Sequence, residues 1–233
     1  MSKKDLSKKN KGKLYIVATP IGNMKDITLR ALEVIQTVDV IFCEDTRVTK
    51  KLCSFYNIDC PKMVSLNART EERKIPQVIS ALSENYSVAY LSDAGTPGIS
   101  DPGVRVVAEA RKLGFEVVSV PGASAFVSAL SVAGVAVDKF CFYGFLPQKK
   151  GREKLLKEFA NTKHTVVFYE SSHRIVKLLK QLQEIAPQKQ VTIAKELTKI
   201  HEQILQGTPT EVLEIFEQDP KKQKGEFTVI LSS

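Results

Sequence analysis

Short apolar runs alternate with helix-like segments along this chain, and this alternation limits the folds that it can adopt. In the first half, the strand-like runs are 14–18, 40–43, 63–66, 88–91 and 115–120, and the helix-like segments are 28–38, 71–83, 104–113 and an apolar stretch that ends at about residue 132. Strands that alternate with helices in this way form a mostly parallel sheet with helices on both faces. The first half therefore predicts a parallel α/β domain.

The pattern starts afresh around the stretch GVAVDKF, residues 134–140. Further strands are predicted over 141–145, 165–169, 191–195, 200–206 and 227–231, with helices over 152–160, 173–185 and 209–216. Because the last three strands lie close together in sequence, this second sheet is predicted to be partly antiparallel, hence mixed. We therefore predict an α/β fold with two α/β domains, 13–136 and 137–233, preceded by a basic flexible arm over residues 1–12.

The charge of the chain is concentrated at its N-terminus. Of a net charge of +8 over 233 residues, residues 1–13 contribute six lysines and one aspartate. Such an arm attracts polyanions such as RNA without reading their sequence, but it is equally typical of a solvated tail, and charge alone does not decide between the two. No apolar stretch is long enough to span a bilayer, and none follows the N-terminal lysines. We therefore expect a cytoplasmic protein with no membrane partner.

The four cysteines, Cys43, Cys53, Cys60 and Cys141, contain no CxxC pair. Cys43 and Cys141 lie within apolar strand-like runs, so we expect both to be reduced thiols in the core. The spacing gives little support to a zinc site, and no metal site is predicted.

Turn-forming loops follow the predicted strands, and none of them carries a phosphate-binding fingerprint. The first strand is followed by ATPIGN, which is neither GxGxxG nor a P-loop. Further strand ends carry EDTR, SDAGTPGISDP and PGASA, and the second half adds GFLP and YESSHR. Because the carboxyl ends of parallel strands share one edge of a sheet, the first four loops are predicted to line one cleft, over which the second domain closes.

Several long motifs in fixed order carry a resemblance to a known family. They are LYIVATPIGNMKDITLRALEVI, CEDTR, SDAGTPGISDPG, VPGASA, GFLPQKKG, FYESSHRI, AKELTKIHE and KGEF, and the resemblance that they carry extends over about residues 12–233. The chain resembles the tetrapyrrole methylase superfamily, and within it the branch that methylates small-subunit ribosomal RNA. The resemblance implies S-adenosylmethionine bound between the two domains, a homodimer, and 2′-O-methylation of a cytidine ribose near the decoding centre. Its partner would be 16S rRNA or the small ribosomal subunit.

The resemblance also implies which residues contact the cofactor. By motif position these are Pro20, Asp93, Ala94, Gly95, Thr96, Ile99, Ser124 and Ala125, with Glu170 and Gly207 from the second domain. Ala123 and Ser172 stand where relatives usually carry proline. The chain also lacks the small helical extension with which many relatives end, and we expect the lysine arm to replace it in docking RNA.

A weakly acidic ribose hydroxyl is helped by a general base. The candidates are Asp45, Asp93, Asp101, Glu170 and His173, each in a loop expected at the cleft. Helix capping or a structural ion pair is the alternative for each carboxylate, and a helix N-terminal position is the alternative for His173. The sequence singles out no base.

Basic residues near the same loops are candidates for contacts with RNA phosphates. Arg47 is the strongest candidate because it lies inside its motif, followed by Lys50, Lys51, Lys149, Lys150 and Arg152. For the lysines, a solvated helix face is the alternative. Lys195 and Glu196 are expected to form an ion pair between elements. Methylation of a tetrapyrrole precursor on the same scaffold and a non-catalytic role in ribosome assembly are the alternative functions.

Overall fold

The computed structural model describes residues 12–233, which form two compact units that meet in sequence between Ser124 and Ala125. The predicted basic arm, apart from Gly12, lies outside the described residues. Within the described part of the chain, none of the helices has the length and apolar character that a membrane crossing requires.

The first unit is a five-stranded sheet in the order β3-β2-β4-β1-β5, and all of its strand pairs are parallel. Its strands are β1 (Lys13–Val17), β2 (Val40–Cys43), β3 (Lys62–Ser65), β4 (Val88–Leu91) and β5 (Glu116–Val120). Its helices are α1 (Leu29–Thr37), α2 (Thr46–Phe55), α3 (Glu71–Ser83) and α4 (Val104–Lys112). The predicted parallel α/β domain is therefore confirmed.

Both faces of this sheet are buried, which explains the continuous apolar runs of its central strands. Ile41 and Ala89 belong to the apolar cluster on one face, and Phe42 and Tyr90 belong to the cluster on the other. Every residue of β2 and β4 is buried. The strand ends are consequently held in a rigid frame, with their loops at one edge.

The second unit contains a five-stranded sheet in the order β6-β7-β10-β8-β9. Its elements are α5 (Ala125–Val132), β6 (Phe140–Phe145), α6 (Arg152–Asn161), β7 (Thr165–Ser171), α7 (Ile175–Ile185), β8 (Gln190–Lys195), β9 (Gln203–Gly207), α8 (Pro209–Gln218) and β10 (Glu226–Ser232). Only the β6–β7 pair is parallel, and the other pairs are antiparallel. The prediction of a mixed sheet is therefore confirmed.

Helix α5 belongs to the second unit, whereas the sequence places the boundary after residue 136. Its residues pack against β7 and β10, so its contacts bind it to the second sheet. The strand predicted over 200–206 begins later, at Gln203, because residues 196–201 form turns in which Glu196 and Thr198 have positive φ.

The structure differs from the cysteine predictions at Cys141, and it contains a disulfide that was not predicted. Cys43 is a buried free thiol as expected, but Cys141 is exposed. The reason is that β6 is an edge strand, which leaves part of its side chains uncovered. Cys53 and Cys60, seven residues apart, are joined by a disulfide that the cysteine spacing does not predict.

Candidate functional site

The loops after β1 and β4 are fastened to each other at the edge of the first sheet. The amide of Thr19 donates to the carbonyl of Gly95 (2.9 Å), and the amide of Gly95 donates to the carbonyl of Thr19 (3.0 Å). The buried hydroxyl of Thr19 donates to the backbone carbonyl of Ser92 (3.1 Å). The buried hydroxyl of Ser92 donates to the backbone carbonyl of Gly95 (3.0 Å). These bonds satisfy backbone amides and carbonyls that have no partner within the sheet. The loops after β1 and β4 therefore form one fixed surface.

Two glycines permit the close packing of these loops. Gly95 has φ +80°, a backbone conformation that side chains rarely adopt. A Cβ atom on Gly122, in the loop after β5, would lie 2.9 Å from the Cβ of Ala18. The hydroxyl of Thr96 donates to the carbonyl of Ala123 (3.1 Å) and so connects the loop after β4 to the loop after β5.

The loop after β2 joins the same surface through two bonds from backbone amides to side-chain carboxylates. The amide of Asp45 donates to Asp93 Oδ1 (3.0 Å), and the amide of Asp93 donates to Glu44 Oε1 (3.2 Å). Asp45 also caps α2, because its Oδ1 accepts from the amide of Arg47 (2.8 Å). The structure thus brings the four predicted loops to one edge of the first sheet.

Three carboxyl groups at this edge hold their protons more tightly than usual. Burial raises the pKa of Glu44 to about 7. The hydrogen bond from the amide of Asp93 opposes this shift, and the charges of Asp101 and Asp93 reinforce it. Burial, with the charge of Asp93, raises the pKa of Asp101 to about 6. Burial also raises the pKa of Asp93. Among residues 12–233, no lysine or arginine forms an ion pair with any of the three.

Asp45 behaves in the opposite way. Arg47 Nη2 lies 2.6 Å from Asp45 Oδ2, and the hydrogen bonds from Arg47 lower the pKa of Asp45 to about 2. The side chain of Arg47 is 89% exposed, so one face of the guanidinium is open to solvent. Asp45 is thus the weakest base at this edge, and Arg47 is accessible to an anionic partner.

Most of the cofactor contacts implied by the resemblance lie on this surface. Pro20 follows β1 and is buried, Ser124 follows β5, and the loop after β4 carries Asp93, Ala94, Gly95, Thr96 and Ile99. Asp93, Ala94 and Ile99 are exposed at the edge. Glu44 was not among the predicted site residues, although its position directly after β2 and before Asp45 was a signal for it.

In the second unit, Glu170 is fully buried and held by two arginines. Its Oε2 lies 2.8 Å from Arg152 Nη2, and its Oε1 lies 2.6 Å from Arg174 Nε. The same Oε1 accepts from the amide of Ser171 (2.8 Å), and Arg174 Nη1 donates to the carbonyl of Leu146 (3.0 Å). This network fastens the end of β7 to the GFLP loop and to α6. The predicted roles of Glu170 as a base and as a cofactor contact stay predictions.

The prediction of Arg152 as a contact for RNA phosphates is wrong. Its side chain is 5% exposed, and it is engaged by Glu170 and by Gln181 Oε1 (3.0 Å). Lys149 and Lys150, in the preceding loop, are exposed as expected.

The remaining predicted residues of the second unit lie at separate places. His173 is exposed in the turn before α7, and Ala125 is the first residue of α5. Gly207 ends β9 with φ +156°, directly before the capping box of α8, where its Cβ would lie 2.9 Å from Glu211 Oε2.

The ion pair expected of Glu196 exists, but with a different partner. Glu196 Oε1 lies 2.9 Å from Lys199 Nζ, and Lys199 also reaches Glu226 Oε2 (2.9 Å). Lys195 is buried instead, because it lies within β8.

The chain matches known proteins over nearly its whole length. Residues 13–213 match the family model described as Tetrapyrrole (Corrin/Porphyrin) Methylases. The protein named Ribosomal RNA small subunit methyltransferase I from Thermotoga maritima is 45% identical over 221 residues, covering 95% of this chain and 98% of that protein. A protein of the same name from Neisseria meningitidis serogroup A is 44% identical, covering 94% of this chain and 76% of that protein.

Solved structures share the fold at lower identity. The uroporphyrin-III C-methyltransferase from Thermus thermophilus, complexed with S-adenosylhomocysteine, aligns with a TM-score of 0.65 and 20% identity over 95% of this chain and 98% of that one. A cobalt precorrin-4 methyltransferase aligns with a TM-score of 0.67 and 17% identity over 94% of both chains.

Proposed function

Because the chain belongs to the tetrapyrrole methylase family, a family of methyltransferases that use S-adenosylmethionine, we propose that it methylates small-subunit ribosomal RNA. More specifically, we propose that the acceptor is the 2′-oxygen of a cytidine ribose in 16S rRNA, near the decoding centre. One observation carries the proposal: relatives named Ribosomal RNA small subunit methyltransferase I are 41–46% identical to this chain over 94–95% of its length.

The strand-end surface of the first unit fits the chemistry of the cofactor. S-adenosylmethionine supplies an electrophilic methyl group on a sulfonium, and it carries an ammonium group as well. Gly95 and Gly122 let the strand-end loops pack closely into one edge, against which a small ligand can lie. We propose that the exposed residues Asp93 and Ala94 contact the cofactor, together with the predicted residues that surround them. The carboxyl groups of Asp93, Asp101 and Glu44 would provide the negative potential that suits a cation.

The same carboxyl groups are the best candidates for deprotonating the acceptor. A base acts most efficiently when its pKa lies near the working pH, which burial achieves for Asp101 and Glu44. Asp45 is a weak base because of Arg47, and Glu170 is surrounded by arginines. We therefore rank Asp101 and Glu44 first, with Asp93 positioning the loops through its bonds to Asp45 and Glu44.

Exposed cations around the sheet edge would position the RNA backbone. Arg47, Lys50 and Lys51 are exposed on or beside α2, which begins at this edge. We further propose, from the resemblance, that the protein acts in the cytoplasm as a homodimer.

The test is methyl transfer from labelled S-adenosylmethionine to small ribosomal subunits that lack this modification, with purified 16S rRNA assayed alongside. We expect label on one cytidine, mapped as ribose methylation. Binding of S-adenosylmethionine without transfer to either RNA substrate would contradict the proposal. Tetrapyrrole precursors would then be the next acceptors to test, and rRNA binding without any transfer would indicate an assembly factor.

A further inference from the structure

The edge strand of the second sheet carries a row of aromatic rings that the proposed catalytic chemistry does not use. Phe142 stacks on Phe126 of α5 (ring centroids 4.5 Å apart) and meets Tyr169 of β7 edge-on (5.2 Å). Tyr169 in turn contacts Phe145 (5.4 Å). We call these four residues, with Phe140 beside Phe126 (6.2 Å), the aromatic row. Its rings form one continuous apolar surface.

A backbone irregularity extends the row to the end of the strand. Side chains three positions apart on a regular strand point to opposite faces, so Phe142 and Phe145 would be separated. The register of β6 against β7 shifts between these two residues, and Gly144 there has φ +59°. As a result, both rings contact Tyr169.

The outer rings of the row are open to solvent. Phe145 is 58% exposed and Phe140 is 41% exposed, although large aromatic side chains in a stable domain are usually covered. By contrast, Tyr143 faces the other side of the sheet and packs against Phe159 of α6 (4.6 Å). The two most exposed rings of β6, Phe145 and Phe140, therefore lie on one side of the strand, whereas Tyr143 on the other side is 36% exposed and packed against a helix. Such a row of exposed rings is a surface suited to a partner.

The charges at both ends of the row indicate which partner. Lys139 precedes the strand beside Asp138, and Lys149 and Lys150 follow it, and all four side chains are exposed. If β6 paired antiparallel with β6 of a second copy, Lys149 and Lys150 would meet Asp138 and Lys139 of that copy, a pair with no net negative charge to complement them. A polyanion with flat apolar faces satisfies both the rings and the lysines.

We propose that the aromatic row binds a single-stranded segment of RNA, with unpaired bases stacked on Phe145 and Phe140 and phosphates held by the flanking lysines. This inference rests on the proposed function, since it names the surface that holds the RNA substrate. Aromatic platforms next to lysines bind single strands because every base presents a π-face, whereas the bases of a duplex are already stacked. The surface should therefore favour single-stranded over double-stranded RNA.

The experiment measures the affinity of the full chain for a short fluorescein-labelled single-stranded oligoribonucleotide and for a duplex of the same sequence, by fluorescence anisotropy. We expect Phe145→Ala to weaken single-strand binding about tenfold. Duplex binding should change by less than about twofold, since phosphate contacts dominate it. Phe145→Trp, which keeps a stacking surface, should retain the single-strand affinity.

Ile200→Ala is the matched control, since Ile200 is an apolar residue of the second unit that is 97% exposed and lies outside the row. The double variant Lys149→Ala/Lys150→Ala should weaken binding of both RNAs and reduce its salt dependence. Equal single-strand affinities for Phe145→Ala and Ile200→Ala would overturn the inference while leaving the proposed methyl transfer intact. A fall in molecular mass of Phe145→Ala in solution, with unchanged RNA affinity, would overturn it in favour of a contact between copies. Failure of the wild-type chain to bind the single-stranded oligoribonucleotide would overturn the inference, whereas only failure of methyl transfer to small subunits and 16S rRNA would overturn the proposed function.

Discussion

Carboxyl groups withdrawn from solvent occur in both units, fully buried in the second and half-buried in the first, and their surroundings differ. Glu170 in the second unit is enclosed by Arg152 and Arg174, and both of its oxygens are occupied. Glu44 and Asp101 in the first unit lie beside other acids, and burial raises the pKa of each. A compensated carboxylate stabilises the fold as a fixed anion, whereas an uncompensated one exchanges its proton near neutral pH. The comparison indicates that burial alone does not identify a reactive group.

Replacing Glu170 is the strongest test of the contrast between the arginine-paired carboxylate and the unpaired ones. Glu170→Ala would leave two largely buried guanidinium groups without their anion, so we expect the free energy of unfolding to fall by about 3–5 kcal/mol. Urea denaturation measures this loss. Lys157→Ala, which breaks the exposed pair with Glu153 (2.7 Å), should change the free energy of unfolding far less, because solvent screens this pair. Similar losses in the two variants would show that Glu170 is not the compensated anion described here.

For Asp101, one of the two uncompensated carboxyl groups, the expected effect is on the rate of methyl transfer. Asp101→Asn should lower kcat for methyl transfer to rRNA about hundredfold if its carboxylate deprotonates the acceptor. The wild-type rate should rise with pH through about 6, where Asp101 ionises, and the variant should lose this rise. The measurement is a pH profile of transfer from labelled S-adenosylmethionine, with Asp59→Asn as an exposed control in the same unit. A kcat within twofold of wild type at every pH would exclude Asp101 as the base.

The pH dependence of stability separates the two kinds of carboxyl group directly. Because the folded pKa of Glu44, about 7, lies above its ordinary value of 4.5, folding takes up a proton between these limits. Stability from this group is therefore present below pH 4.5 and is lost as the pH rises through 7. Glu44→Gln should be more stable than wild type at pH 8 by about 1–2 kcal/mol, a range reduced for partial exposure. At pH 4 the two should be alike.

Urea midpoints at pH 4 and pH 8 test this expectation, with the exposed Glu33→Gln of α1 as the control. Parallel pH profiles for wild type and Glu44→Gln would mean that Glu44 is as well solvated as Glu33.

Much of the fold was predictable because it depends on local patterns. The runs VIFC and VAYL are apolar at every position, as central strands of a covered parallel sheet require, and both became fully buried strands. Helix α2 was missed because its lysines obscure the buried positions Thr49, Leu52 and Cys53, and EDTR resembles a loop. Its N-cap, Asp45, was named as a candidate base with helix capping as the alternative, and the structure shows the capping role.

The properties of the site depended on contacts distant in sequence. The pKa of Glu44 reflects burial beside Asp93 and Asp101, which lie on another loop. Arg152 follows two exposed lysines and looks like part of a basic patch. However, Gly151 takes φ +88° at the start of α6, and the side chain of Arg152 turns inward to Glu170. No local pattern encodes these pairings, so the motifs were predictable from the sequence but the surroundings and pKa shifts of their side chains were not.

The smallest effect is expected from Asp45, whose exposed pair with Arg47 lowers its pKa. Since the folded pKa of about 2 lies below the ordinary value of 3.8, stability from this group is present above pH 3.8 and is lost as the pH falls through 2. Asp45→Asn retains a side chain able to cap α2, so it removes mainly the charge. We expect a slightly lower urea midpoint at pH 7 and a smaller difference at pH 3, opposite in sign to Glu44→Gln. Arg47→Gln should give the same small loss, and the double variant should add nothing further. A gain of stability at pH 7 in Asp45→Asn would place Asp45 with the uncompensated carboxyl groups instead.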